Sequence, residues 1–291
     1  MLFTPFDKSG TVDEQSLRRV VRFELEGAVN GLGYGGFASE AYKLTDQERL
    51  ACTDIVADEI DGSVPLIIGL SSGSTEVAIK QAQVFNQYNP AALMVLPPCT
   101  MPLSQSQLVD HYVSVADASS SPVMVQSAPQ FPAYAHSPVS VEAIVEIARR
   151  TENVTCIKVE GRDAANQIRD LRRLLHNDLP LFGGGGGITW LDELRSGAAG
   201  VIPGCGFNNF FVKVWHDWQS GREDQAATLL KKLQPILDAI SGKNHEYSVT
   251  MRKQLFKRLG VITSDYVRHP CERVESDDVD KVSKLAESLD L

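Results

Sequence analysis

The sequence has no CxxC pair. Its five cysteines, Cys52, Cys99, Cys156, Cys205 and Cys271, are odd in number and widely spaced, which argues against a disulfide framework or a zinc site and leaves reduced thiols. No apolar run approaches the roughly 18 residues of a membrane span, and the N-terminus lacks a charged-then-apolar leader. A cytoplasmic chain without a membrane partner is expected. Basic residues are in deficit, with 28 Lys and Arg against 37 Asp and Glu and a net charge of -9. That balance argues against nucleic acid and anionic membranes as partners. No GK[ST] and no GxGxxG with a downstream acid accompanies the five glycines at 183–187, so close backbone approach to a substrate, at Gly184 and Gly185 above all, is their expected use rather than a phosphate cradle. No histidine pair has metal-ligand spacing, and His136 and His245 read as surface or structural residues.

What is present is an ordinary globular composition: 291 residues, 43% hydrophobic and 22% charged. The hydrophobic pattern alternates. Short β-branched or glycine-rich runs at residues 2–6, 31–36, 65–69, 92–96, 122–125, 154–159, 179–182 and 200–203 are separated by stretches with helical spacing, at 12–27, 45–60, 74–86, 104–118, 140–150, 163–176, 188–196 and 208–220. Strand-helix units repeated about eight times fit a closed parallel TIM (β/α)8 barrel, with a doubly wound open sheet as the alternative. The polar and glycine-rich stretches follow the strands, where barrel active sites lie. After residue 222 the rhythm changes to helices alone, at 223–240, 245–259 and 276–289. The expected organisation is a barrel over residues 1–222 with a C-terminal helical extension over 223–291.

One residue breaks the pattern. Residues 154–159, VTCIKV, read as a strand covered on both faces, yet they contain Lys158. Lysine is rarely buried without a partner, because desolvation disfavours the ammonium and promotes the free amine. A free amine in a dry pocket is a nucleophile toward a 2-oxo acid, with which it forms a Schiff base. The competing reading is a strand-end lysine that reaches water. Glu160, two residues on, shares its side of the strand if the extended geometry continues, and it serves either as acid-base group or as ion partner.

Several ordered segments give the barrel reading a family. Thr4-Pro5-Phe6, Glu40 with Leu44-Thr45, Pro97-Pro98 after the fourth predicted strand, Ile157-Lys158-Val159-Glu160-Gly161 on the sixth, and Gly197-Ala198-Ala199-Gly200 together resemble the dihydrodipicolinate synthase and N-acetylneuraminate lyase family of Schiff-base lyases. The resemblance covers nearly the whole chain and implies that Lys158 forms the imine with a 2-oxo acid substrate. It further implies a homo-oligomer, a tetramer or dimer. No metal or organic cofactor is required by such a mechanism. Only three residues precede Thr4, so the first strand is expected to be short, or the natural start lies upstream.

Departures from the family pattern bear on the reaction. The tyrosine of its strand-five YNxP motif is replaced here by Gln126-Ser127-Ala128-Pro129, and the threonine pair of GTTGE by Phe37-Ala38 in Gly36-Phe37-Ala38-Ser39-Glu40. The synthase's arginine after the strand-five proline is also missing. Gln126-Ser127, Ser39-Glu40, the segment after Gly161 and the tail at 244–270 resemble instead the branch of L-2-keto-3-deoxyarabonate dehydratase. This implies dehydration of a 2-keto-3-deoxy sugar acid, with a pyruvate-dependent aldolase or synthase, or a degenerate barrel that only binds 2-oxo acids, as alternatives. Lys158, Glu160 and Ser39 are the candidate catalytic residues; Gln126, Ser127, Ala38, Gly184 and Gly185 are the candidate substrate-binding positions. Turn chemistry for the serines and a packed amide for Gln126 are the competing readings.

Overall fold

The computed structural model describes residues 1–175, 179–241 and 243–289. The chain packs as two compact units, residues 1–64 with 203–291, and residues 65–202. The first begins with α1 (Glu14–Glu26), β1 (Leu32–Tyr34) and α2 (Asp46–Ile60). The second contains β2 (Leu66–Leu70), α3 (Thr75–Phe85), β3 (Ala92–Val95), α4 (Gln105–Ala118), β4 (Val123–Ser127), α5 (Val141–Arg150), β5 (Val154–Val159), α6 (Ala164–Leu174), β6 (Leu181–Gly183), α7 (Trp190–Arg195) and β7 (Gly200–Val201). The chain then returns to the first unit through α8 (Asn208–Gln219), α9 (Glu223–Ser241), α10 (His245–Arg258) and α11 (Ser276–Glu287).

Helix starts follow side-chain chemistry. Asp13, Ser74, Ser140 and Asn244 each accept a backbone N–H of the first turn, and Thr45 with Glu48 and Ser104 with Gln107 form reciprocal capping boxes. Each such cap contributes about 1 kcal/mol. The sixth predicted helix ends at Leu174, and the expected last residue, His176, lies outside the described residues.

In the second unit, β2 to β7 stand in chain order, each parallel to the next. A doubly wound sheet reverses its strand order at a switch point; this run has no reversal. β3 and β4 are buried along their whole length and β5 at all but Thr155, as strands covered on both faces require. Registers Gln126↔Lys158 and Lys158↔Phe182 put the lysine between β4 and β6.

Residues 2–6 do not form a strand of their own. In the first unit the Leu2 N–H donates to Gly33 O (2.8 Å), the Cys205 N–H donates to Met1 O (2.9 Å), and the Met1 ammonium donates to Pro203 O (2.7 Å). The segment is therefore flanked on both sides by strand-type bonds, but only over its first residues, because Pro5 has no N–H to continue the ladder. The lysine strand is accordingly the fifth assigned strand. No helix among the described residues is long and apolar enough to cross a membrane.

Candidate active site

The second unit brings five of the eight candidates into one cluster, buried at all but Gly185. Lys158 is 4% exposed on β5, and its Nζ lies 3.5 Å from Glu160 Oε2. Glu160, just past the strand end, is also buried and keeps the same side of the chain. Gln126 Nε2 donates to Glu160 Oε2 at 2.6 Å, and the Gly185 N–H donates to Glu160 Oε1 at 3.0 Å. The carboxylate is thus fixed by the Lys158 nitrogen and two N–H groups, which gives it one orientation rather than a freely turning rotamer. Gln126 Oε1 is buried with no partner among the described residues. An orphaned buried acceptor costs about 1–3 kcal/mol, which marks this oxygen as one turned toward something other than the fold.

The glycines at 183–187 make room for carboxylates. A Cβ on Gly184 would lie 2.4 Å from Glu160 Oε1 and 2.5 Å from its Cγ; a Cβ on Gly183 would meet Glu193 Oε2 at 1.7 Å. Consecutive strand residues face opposite ways, so Gly184 backs the Lys158 cluster and Gly183 backs a second carboxyl behind the strand. Glu193 is 1% exposed, with Oε1 accepting from the Thr189 hydroxyl at 2.8 Å and Oε2 without a hydrogen-bond partner among the described residues. Burial pushes its carboxyl up to about 7, a rise that the Thr189 bond opposes and the charge of Glu160 reinforces. Sequence reasoning missed it. The signal was there: Trp190, Glu193 and Leu194, at i, i+3 and i+4, form the buried face of α7.

Ser127 belongs to the opposite face of β4 from Gln126. Its hydroxyl points to Val139 O, 3.5 Å away, between strand and helix rather than toward Lys158.

Ser39 and Ala38 lie in the first unit, within a 3-10 turn at Phe37–Ser39. Ser39 Oγ donates to Leu2 O (2.6 Å) and accepts from Gly35 N (3.0 Å), while its carbonyl accepts from the Thr4 hydroxyl (2.6 Å). Thr4 Oγ1 also meets Tyr34 Oη at 2.8 Å. The neighbouring Glu40 has a left-handed backbone (φ 55°) and is fully buried in ion pairs with Lys253 and Lys43. Burial brings Lys253 down to about 8, with Glu40 opposing the fall. The Phe6 ring faces both Lys253 and Arg268 at 4.4 Å. Thr4, Phe6 and Glu40, three of the residues that carry the family resemblance, thus meet in one polar core of this unit.

A buried lysine beside a fixed carboxylate has the makings of an imine-forming site: an amine nucleophile and, one contact away, a proton acceptor. Comparison with known proteins gives the chain its family. The model of the "Dihydrodipicolinate synthetase family" matches residues 1–289. The chain is 31% identical over 291 residues to the L-2-keto-3-deoxyarabonate dehydratase of Azospirillum brasilense, covering 99% of this chain and 92% of the relative. It is 28% identical to N-acetylneuraminate lyase 2 of an Escherichia coli strain, covering 98% and 92% of the two chains. A crystal structure of a putative dihydrodipicolinate synthetase from Pseudomonas aeruginosa superposes with a TM-score of 0.90 at 24% identity, over 99% of this chain and 96% of that one. At that identity the likeness speaks for the fold, the parallel barrel of alternating strands and helices with a helical C-terminal extension.

Proposed function

Because the chain belongs to the dihydrodipicolinate synthetase family, we propose that it is a Schiff-base lyase that removes water from a 2-keto-3-deoxy sugar acid. The family's named relatives include a dehydratase and an aldolase, so the reaction class is a lyase and the bond that breaks has to be argued from the site.

The supporting observation is the cluster of Lys158, Glu160 and Gln126. Lys158 attacks C2 of the 2-oxo acid, water leaves, and the iminium acidifies C3. Glu160, held 3.5 Å from the lysine nitrogen by Gln126 and Gly185, takes the C3 proton directly or through one water in this reading. The enamine so formed expels the C4 hydroxyl. Gln126 carries no ionisable proton, so it orients: its free Oε1 accepts a substrate hydroxyl while its amide N–H holds Glu160. Aldol cleavage would instead require a base on the C4 hydroxyl, the task for which the family's strand-five tyrosine is replaced here by Gln126. Product imine hydrolysis and tautomerisation then give a 2,5-dioxo acid semialdehyde when the substrate is a pentonate.

Incubation with 2-keto-3-deoxypentonates and hexonates, read by NMR and mass spectrometry, tests the assignment. The expected product has lost one water with no pyruvate formed; stoichiometric pyruvate and an aldehyde would make the enzyme an aldolase.

A further inference from the structure

The dehydration scheme needs an acid at C4: the oxygen departs as hydroxide unless one meets it, the Gln126 amide cannot supply a proton, and Glu160 is assigned to C3. Barrel active sites are built from the loops that follow the strands, and in the second unit three such loops bring hydroxyl and thiol groups together. Ser71 follows β2, Cys99 follows β3, and Tyr134 belongs to the loop after β4. Tyr134 Oη meets Ser71 Oγ at 3.2 Å, with the Cys99 thiol beside it.

Most of residues 131–137 are open to solvent, but this loop turns the Tyr134 ring inward, to 5% exposed. The loop is folded by its own backbone bonds, Tyr134 N–H to Phe131 O (2.9 Å) and Ser137 N–H to Tyr134 O (3.2 Å). It is also pinned by the Leu103 N–H donating to Ser137 Oγ (2.7 Å). Tyr134 also acts electrostatically on a residue that reaches β4. Tyr112, whose hydroxyl lies 3.1 Å from Gln126 O, is held above its ordinary value by burial first and by Tyr134 next.

We propose that Tyr134 is the acid that protonates the departing C4 hydroxyl. The assignment rests on the dehydratase reading above. In the step, the enamine pair forms the C3=C4 double bond, the C4–O bond breaks with its electrons on oxygen, and the phenolic proton of Tyr134 completes the water. The phenolate recovers a proton from solvent through the Ser71 hydroxyl and Glu160 returns the C3 proton to solvent, so the net change is the loss of one water. Burial pushes the phenol up to about 12, against the lowering effect of Ser71. It therefore carries its proton at neutral pH, as a donor must.

A substrate whose leaving group needs no proton separates this role from a structural one. Wild type, Tyr134→Phe and Ser71→Ala are assayed on a 2-keto-3-deoxypentonate and on its 4-deoxy-4-fluoro analogue, alongside borohydride trapping with pyruvate. General acid catalysis is worth about 10²–10⁴-fold, so Tyr134→Phe should lose at least about a hundredfold in kcat on the hydroxyl substrate while eliminating fluoride at close to the wild-type rate. Its imine yield should be unchanged. Ser71→Ala, which keeps the phenol, should slow only the hydroxyl substrate, and by less. Equal losses on both substrates, or wild-type turnover by Tyr134→Phe, overturn the assignment. If the wild type forms no imine, the reading of Lys158 fails first and the role of Tyr134 fails with it.

Discussion

A single methyl group at Gly184 should disable turnover while leaving imine formation intact. In Gly184→Ala the new Cβ would lie 2.4 Å from Glu160 Oε1 and 2.5 Å from its Cγ, well inside van der Waals contact, so either the carboxyl or the strand end moves. The carboxyl is the freer of the two. Moving it breaks the 3.0 Å bond from Gly185 N–H and the 2.6 Å bond from Gln126 Nε2, and it withdraws the base from beside Lys158. Overpacking of this kind costs about 1–3 kcal/mol of stability. Loss of a positioned general base costs about 10²–10⁴-fold in rate. Denaturant midpoints would register the first effect and kcat on a 2-keto-3-deoxypentonate the second, with borohydride trapping of pyruvate as the control that Lys158 is still reachable. A variant that is destabilised yet turns over within a fewfold of wild type would show that Glu160 is only the ion partner of the lysine.

Glu193 should make stability depend on pH. Its carboxyl, raised from 4.5 to about 7 in the folded protein, binds its proton more tightly folded than unfolded, so its contribution is fully present below pH 4.5 and is lost as pH rises through 7. The full span is about 3 kcal/mol at 1.36 kcal/mol per pH unit. Glu193→Gln should remove that slope from stability measured between pH 5 and pH 8, and an unchanged slope would mean the carboxyl is charged throughout. Glu40→Ala should cost about 3–5 kcal/mol, because it strands a fully buried Lys253; a denaturant-measured loss below about 1 kcal/mol would contradict the pairing. Coupled turnover of pyruvate with aspartate semialdehyde should be negligible, since Gln126 and Phe37-Ala38 provide no tyrosine-threonine proton relay, and an ordinary synthase rate would refute this.

The strands and helices were legible because each is a local matter of periodicity and caps. β5 is a β-branched run with a lysine in it, and the capping boxes at Thr45 and Ser104 can be read directly from residue order. Lys158 and Glu160 could be placed on one side of the strand from the two-residue repeat alone, and the structure puts them in contact. The expected strand at residues 2–6 is not assigned, because Pro5 lacks the N–H that would continue its ladder.

What stayed hidden depends on partners distant in sequence. A serine hydroxyl looks alike whether it faces a substrate or a carbonyl; only the fold shows Ser39 engaged with Leu2 and Gly35, and Ser127 turned toward Val139. Glu193 was concealed among the charges of residues 192–195 despite its place on the buried face. Tyr134 sits in a proline-rich loop without periodicity, where nothing local marks one side chain as turned inward.

Borohydride reduction in the presence of pyruvate or a 2-keto-3-deoxy acid, followed by peptide mass spectrometry, tests the central claim most directly. The adduct is predicted on Lys158 alone and should disappear in Lys158→Met. An adduct on another lysine, or none with any substrate that the enzyme turns over, would contradict the Schiff-base mechanism.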